Sequence, residues 1–347
     1  MTSLQRIPLL LFATCALPGA AYACATCGCS LSTDAAMGYS ATTGWRINLE
    51  YNFINQDQLR NGTRAVSAGQ LAAINDAGGD QEVEKQTINR YATLGISYRP
   101  SADWNASLQV PYVDRSHTTY GSAGTADLTG ENISGANVTG LGDIRLIASY
   151  QGILATHNLG VQFGLKLPTG HYGGQNVDTG ATVGNPTFFN TGPSAAGGEA
   201  LDTSLQAGTG STDAIVGAYY YQAVSQNFDA FVNGQFQTAF RERLNQAGAD
   251  FRPGNSTTLS FGVRYEADPH LVPQLQVNVT RKTSDQGALA DSADTAGTVV
   301  YLSPGITASL QHNLQVYGFV QLPLYSNLQG YQLFPRWTAS AGVSFSF

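Results

Sequence analysis

Arg336-Trp-Thr-Ala-Ser-Ala-Gly-Val-Ser-Phe-Ser-Phe347 is the stretch that decides the fold. Trp337, Ala339, Ala341, Val343, Phe345 and Phe347 share one parity; Thr338, Ser340, Gly342, Ser344 and Ser346 share the other. A period of two is a β-strand with one apolar and one polar face. Trp45-Arg-Ile-Asn-Leu-Glu-Tyr-Asn-Phe53 alternates in the same way, with Trp45, Ile47, Leu49, Tyr51 and Phe53 against Arg46, Asn48, Glu50 and Asn52. A last strand that closes on such a first strand makes everything between them the wall of a barrel.

Composition narrows the class. Only 12% of the 347 residues are charged, about half the roughly 25% of a globular protein. With 39 glycines and 17 tyrosines the chain does not read as disordered. No run of eighteen apolar residues crosses a membrane as a helix. A net charge of -7 leaves no basic footprint for nucleic acid.

Residues 1–23 read as a secretory signal peptide, with Arg6 ahead of an apolar core from Ile7 to Ala16 and a small-x-small cleavage site at Ala21-Tyr22-Ala23. The mature chain then begins at Cys24 in an oxidising compartment. A lipoprotein reading of Cys24 fits less well, because Ala-Tyr-Ala lacks the leucine of a lipobox. Residues 24–43 show no periodicity and read as a periplasmic Cys-rich segment, and residues 44–347 as the barrel.

The pattern predicts an all-β, antiparallel, up-and-down transmembrane barrel of about twelve strands, near 44–54, 86–99, 104–114, 141–151, 157–168, 213–222, 227–240, 256–267, 271–280, 295–310, 314–325 and 335–347. Five connections are short: Pro100–Asp103, Gly152–Thr156, Ala223–Gln226, Asp268–His270 and Gln311–Asn313. The six others are long: Asn55–Lys85, Arg115–Gly140, Thr169–Thr212, Arg241–Asn255, Arg281–Asp294 and Ser326–Phe334. Tight periplasmic turns against longer extracellular loops are the mark of a bacterial outer-membrane barrel. A soluble β-sandwich would not sort its connections by side. Ser340-x-Gly342-x-x-Phe345-x-Phe347 also resembles the C-terminal signal read by the barrel assembly machinery.

With the apolar parity toward outer-membrane lipid, Arg46, Glu50, Asp143, Arg145, Lys166, Asp229, Arg264 and Glu266 point inward. Four positive and four negative groups can pair, as buried charges must. They read either as a salt-bridged frame or as a constriction that selects solutes, with the frame favoured because confined ions need partners whatever the function. Residues Ala65 to Ile74 have helix-forming composition, and the long third connection can fold into the mouth and narrow it.

Thr139-Gly-Leu-Gly-Asp-Ile-Arg-Leu-Ile147 and Leu159-Gly-Val-Gln-Phe-Gly-Leu-Lys-Leu-Pro-Thr-Gly170, with Val110-Pro-Tyr-Val113 and Ser303-Pro-Gly-Ile306, resemble the meta-pathway phenol-degradation family of transporter-type outer-membrane barrels. The resemblance spans roughly residues 86–347. It implies a channel that admits small aromatic or poorly soluble solutes, as the fatty-acid channel superfamily does, and it carries no catalytic residue.

Cys24-x-x-Cys27-x-Cys29 is the sharpest chemical motif. Three thiolates suit a soft metal such as Cu(I) or Zn(II), or one disulfide with a spare thiol. His157, His270 and His312 fall in the short turns on the same side. The alternative reading is therefore a metal- or redox-linked barrel working with a periplasmic partner. A lipid-facing hydrolase needs a His and a Ser at membrane level. His117 and His171 sit beyond strand ends with no nucleophile arrangement, so no enzyme is expected.

Overall fold

Backbone polar groups cannot stay unpaired in hydrocarbon, so a membrane-spanning sheet has to close on itself. This one does. The computed structural model describes residues 43–79, 81–121 and 126–347; the signal peptide and Cys24, Cys27 and Cys29 lie outside the described residues. In chain order the strands are β1 (Gly44–Gly62), β2 (Arg64–Ala65), β3 (Glu84–Arg99), β4 (Trp104–Tyr120), β5 (Ile133–Leu141), β6 (Ile144–Tyr150) and β7 (Leu159–Leu167). There follow β8 (Gly173–Gln175), β9 (Thr182–Gly184), β10 (Ser211–Ala223), β11 (Phe228–Glu242), β12 (Ser256–Tyr265), β13 (Leu271–Lys282), β14 (Gly297–Gln311) and β15 (Leu314–Ser346). Two helices, α1 (Ala68–Asp76) and α2 (Gly192–Gly197), lie in the connections.

The hydrogen-bonded path β15-β14-β13-β12-β11-β10-β7-β6-β4-β3-β1 closes through pairing of β15 with β1. Its eleven elements make twelve wall strands, because β15 is a hairpin. Its 33 residues would reach about 110 Å if straight. Residues 314–328 run antiparallel to β14 and residues 328–346 antiparallel to β1, with Gly330 at a φ of 63° where the chain reverses. At the seam Trp45 and Phe347 exchange backbone hydrogen bonds of 2.8 and 2.9 Å.

The expected parity holds along both closing strands. Trp45, Ile47, Leu49, Tyr51, Trp337, Val343, Phe345 and Phe347 are exposed to lipid, while Asn48, Glu50, Asn52, Thr338, Ser340 and Ser344 are buried. Ring pairs mark one interface, with Trp45 and Tyr98 at 4.5 Å and Trp104 and Tyr150 at 4.8 Å. Phe53 and Trp337, 5.7 Å apart, mark the other. Eight residues separate Trp45 from Phe53. That is about 27 Å of strand and, at a tilt of roughly 40°, about 20 Å of membrane normal, close to the apolar band of such barrels.

The strands overrun their expected upper ends. β1 continues to Gly62 and β4 to Tyr120, and β5 occupies part of the expected second loop by pairing with residues 112–120 of β4. Above the membrane the lipid-side residues turn polar, so hydrophobic alternation stops although the ladder does not. The expected loop Ser326–Phe334 is replaced by the β15 hairpin; Leu333 packs with Leu59, Leu71 and Val83 and holds it as strand. The remaining connections keep the alternation of short and long. The expected helix at Ala65–Ile74 forms three residues later. Ala65 is taken into a bridge with Arg60, and Ser67 starts α1 through a capping box with Gln70.

Candidate functional site

Two of the quoted motifs clasp each other. After β5 the ladder breaks at Gly142, whose N–H reaches Pro111 O at 2.8 Å. Asp143 is thereby turned into the lumen. Its Oδ1 accepts from Gly170 N at 3.1 Å and its Oδ2 from Thr209 N at 3.0 Å, so one carboxylate pins both ends of the third connection. Thr169 Oγ1 adds a bond to Gly142 O and accepts from Ile144 N.

Lys166 Nζ sits 3.1 Å from both Asp143 Oδ2 and Asp213 Oδ2, and it also donates to Ser211 and Thr209. Gln237 joins Asp213 to Arg145, accepting from Arg145 Nη2 at 3.3 Å. All four ionic side chains are buried. Two cations face two anions with their polar atoms bonded, the condition under which buried ions stay charged.

The other inward charges fall into separate groups. Asp229 pairs in register with Arg264, which lies 2.8 Å from Glu266, near the short turns. Glu50 is bound by Asn52 at 2.7 Å and by Tyr317 Oη at 2.5 Å. Tyr317 reaches it because its ring lies over Gly342, where a Cβ would fall 2.3 Å from the ring. Arg46 is half-buried two inward positions below, beyond Asn48. Of the assembly-signal residues, Phe345 and Phe347 face lipid, whereas Ser340 binds Asn52 at 2.5 Å. Gly342 makes room for Tyr317. Aromatic rings cover Gly160, Gly262 and Gly305 in the same way, from Tyr219, Phe231 and Phe319.

Asp213 escaped the sequence reading because both faces of β10 are apolar: Ile215 and Tyr219 point in, Val216 and Tyr220 out. Arg115 and His117 were expected in a loop. They are buried on the inward face of β4 instead. Arg115 donates to Leu205 O, Gln206 O, Asn89 and Tyr91, holding the returning third connection against the wall. There Leu201 and Leu205 pack on Val113, Ala136 and Val138, with Tyr91 and Phe189 beside them.

The outer vestibule gathers acid from three connections. Glu82 and Glu84 lie 3.9 and 4.0 Å from the two nitrogens of His117. The Asp202 carboxyl is pushed well above its ordinary value by the protein closing round it and by the charges of Glu82 and Asp291. Burial and Asp291 lift Asp294 to about 6, and burial also raises Asp291. At the opposite rim His157 Nδ1 faces Asp103 Oδ1 at 3.1 Å, while His171 lies in the third connection beside Asn185.

A closed antiparallel barrel with a lipid belt and long loops on one side is a bacterial outer-membrane β-barrel. No family model and no curated protein matches the chain, so the likeness to the meta-pathway phenol-degradation family rests on its motifs alone. Among solved structures it is similar to the COG4313 outer membrane channel from Pseudomonas putida F1, at 13% identity and a TM-score of 0.58, over 88% of this chain and 96% of that one. A Pseudomonas aeruginosa FadL homologue aligns more weakly, at 10% identity and a TM-score of 0.42, over 88% and 90%. The first of these likenesses agrees with the barrel fold.

Proposed function

We propose that this barrel is a passage for small molecules across the outer membrane, and that its solutes are aromatic or otherwise poorly soluble. One observation carries the second half. A buried apolar cluster, Val113, Ala136, Val138, Leu201 and Leu205 with Tyr91 and Phe189 beside it, seats the third connection on the inner wall, whereas the interior of a water-filled barrel is polar. Below it, the inward rings of Tyr219, Phe231, Phe319 and Tyr317 are buried over glycines among amides such as Gln162, Gln276 and Asn278. A flat apolar solute that displaces these side chains finds apolar and aromatic contacts in exchange.

The Lys166 network then serves as a frame. It fixes both roots of the third connection and so holds Leu201 and Leu205 in that cluster. The test is proteoliposome uptake of a matched panel of aromatic hydrocarbons, phenols and sugars. Preferential passage of the aromatics, weakened by Leu201→Asp and Leu205→Asp, is the expected result. Equal passage of sugars with no effect of those changes would refute the solute class.

A further inference from the structure

We propose that His117 Nε2 and the Glu82 carboxylate are two ligands of a cation site in the outer vestibule. It takes a first-row divalent ion of the Mn2+ or Zn2+ kind, completed by Asp202 and water. The site stands whatever solute the barrel passes.

His117 is 1% exposed and its Nδ1 lies 2.8 Å from Thr87 Oγ1. Its Nε2 is buried without a hydrogen bond. A buried imidazole nitrogen left in that state is costly, and the group it faces is Glu82 Oε1 at 3.9 Å. That separation is too long for a hydrogen bond, whose upper range is about 3.2 Å. It suits two donors that each stand about 2.1 Å from one shared ion, since such donors can be up to roughly 4.2 Å apart. Thr87 supplies the partner that metal-binding histidines usually have: Nδ1–H donating to its hydroxyl leaves the Nε2 lone pair free for the ion. An imidazole with carboxylates selects borderline first-row ions over Mg2+ or Ca2+.

The surroundings supply the charge. Asp202, Asp291 and Asp294 come from two other connections, and each carboxyl is raised partly by its acidic neighbours, a repulsion that a bound dication removes. Arg115, two residues below His117, spends its donors on Asn89, Tyr91 and the third connection. Among the described residues no three His, Cys, Asp or Glu side chains already converge on one point. Asp202 stands on the third connection near enough for the charge of Glu82 to act on it, and water fills the remaining positions of the shell. Metal would tie that connection to the wall.

Manganese tests this directly, because thiolates such as those of Cys24, Cys27 and Cys29 bind it weakly. The purified full-length protein in detergent is titrated with Mn2+ and read by electron paramagnetic resonance. One saturable site per chain is expected, with modulation from a single imidazole nitrogen. Glu82→Gln, at a partly exposed position, should weaken binding about tenfold or more, and His117→Gln should remove the nitrogen modulation. Binding unchanged by Glu82→Gln, nitrogen coupling that survives His117→Gln, or no saturable binding at all would each overturn the proposal. Should His117→Gln not fold, Glu82→Gln and the modulation in the parent protein decide it.

Discussion

The membrane-level network around Lys166 and the vestibule around His117 are both ionic, both built where connections return to the wall, and opposite in balance. In the first, Lys166 and Arg145 face Asp143 and Asp213, with 3.1 Å contacts from Lys166 to both carboxylates. In the second, Glu82 and Glu84 flank a single imidazole, and Asp202, Asp291 and Asp294, which feel the charge of Glu82 or of one another, hold their protons more tightly than usual. The balanced set fits the proposed frame. The unbalanced one fits the proposed cation site.

The largest effect should come from unbalancing the frame. Lys166→Met leaves Asp143 and Asp213 buried without their cation, at a cost of about 3–5 kcal/mol. Loss of heat-resistant migration and cleavage of residues 169–210 by added protease would show it. Replacing Lys166 and Asp213 together with apolar residues should restore much of the loss, because a neutralised site leaves fewer unpaired ions. A Lys166→Met barrel as stable as its parent would mean the network is not a frame.

Next is the seam. Gly342→Val sets a side chain where the Tyr317 ring lies, so the tyrosine must leave Glu50. Overpacking of this kind costs about 1–3 kcal/mol, measurable as a lower urea midpoint in lipid. Combining it with Tyr317→Ala should recover the packing loss but leave Glu50 short of a donor. Phe347→Asp probes the same seam from the lipid side. Near the interface its folding cost is only about 0–1 kcal/mol, so a large fall in assembled protein would point to recognition by the assembly machinery.

The smallest effect is on pH. Asp294 is lifted from its ordinary value to about 6, so it binds its proton more tightly in the folded loop than in the unfolded chain. The resulting stabilisation is complete at low pH and is lost as pH rises through about 6. Solvent screening holds it to about 1 kcal/mol or less. Residues 283–296 should resist protease better at pH 5 than at pH 7.5, and Asp294→Asn should reduce the difference, leaving the part due to Asp291.

Residues 45–53 and 337–347 were legible because lipid on one side and lumen on the other impose strict alternation. Arg145 and Lys166 were legible for the same reason, each being polar on a strand whose other face is apolar, and Asp143 keeps their parity in the break just before β6. Asp213 was hidden where Ile215 and Tyr219 make the inner face of β10 as apolar as the outer. Arg115 and His117 lie on β4 above the lipid belt, where the outward residues no longer need to be hydrophobic and the period disappears. Glu82, Asp202 and Asp291 meet only through loop packing, which no local period encodes.

The third connection, rooted on Asp143, is proposed to narrow a passage through the barrel. Single-channel conductance in planar bilayers tests it most directly, comparing the parent protein with a chain in which residues 174–204 are replaced by a short Gly-Ser link. A several-fold rise in conductance, with both barrels equally resistant to heat, is the result expected. Conductance unchanged by the replacement, at equal stability, would mean that the third connection does not narrow the passage.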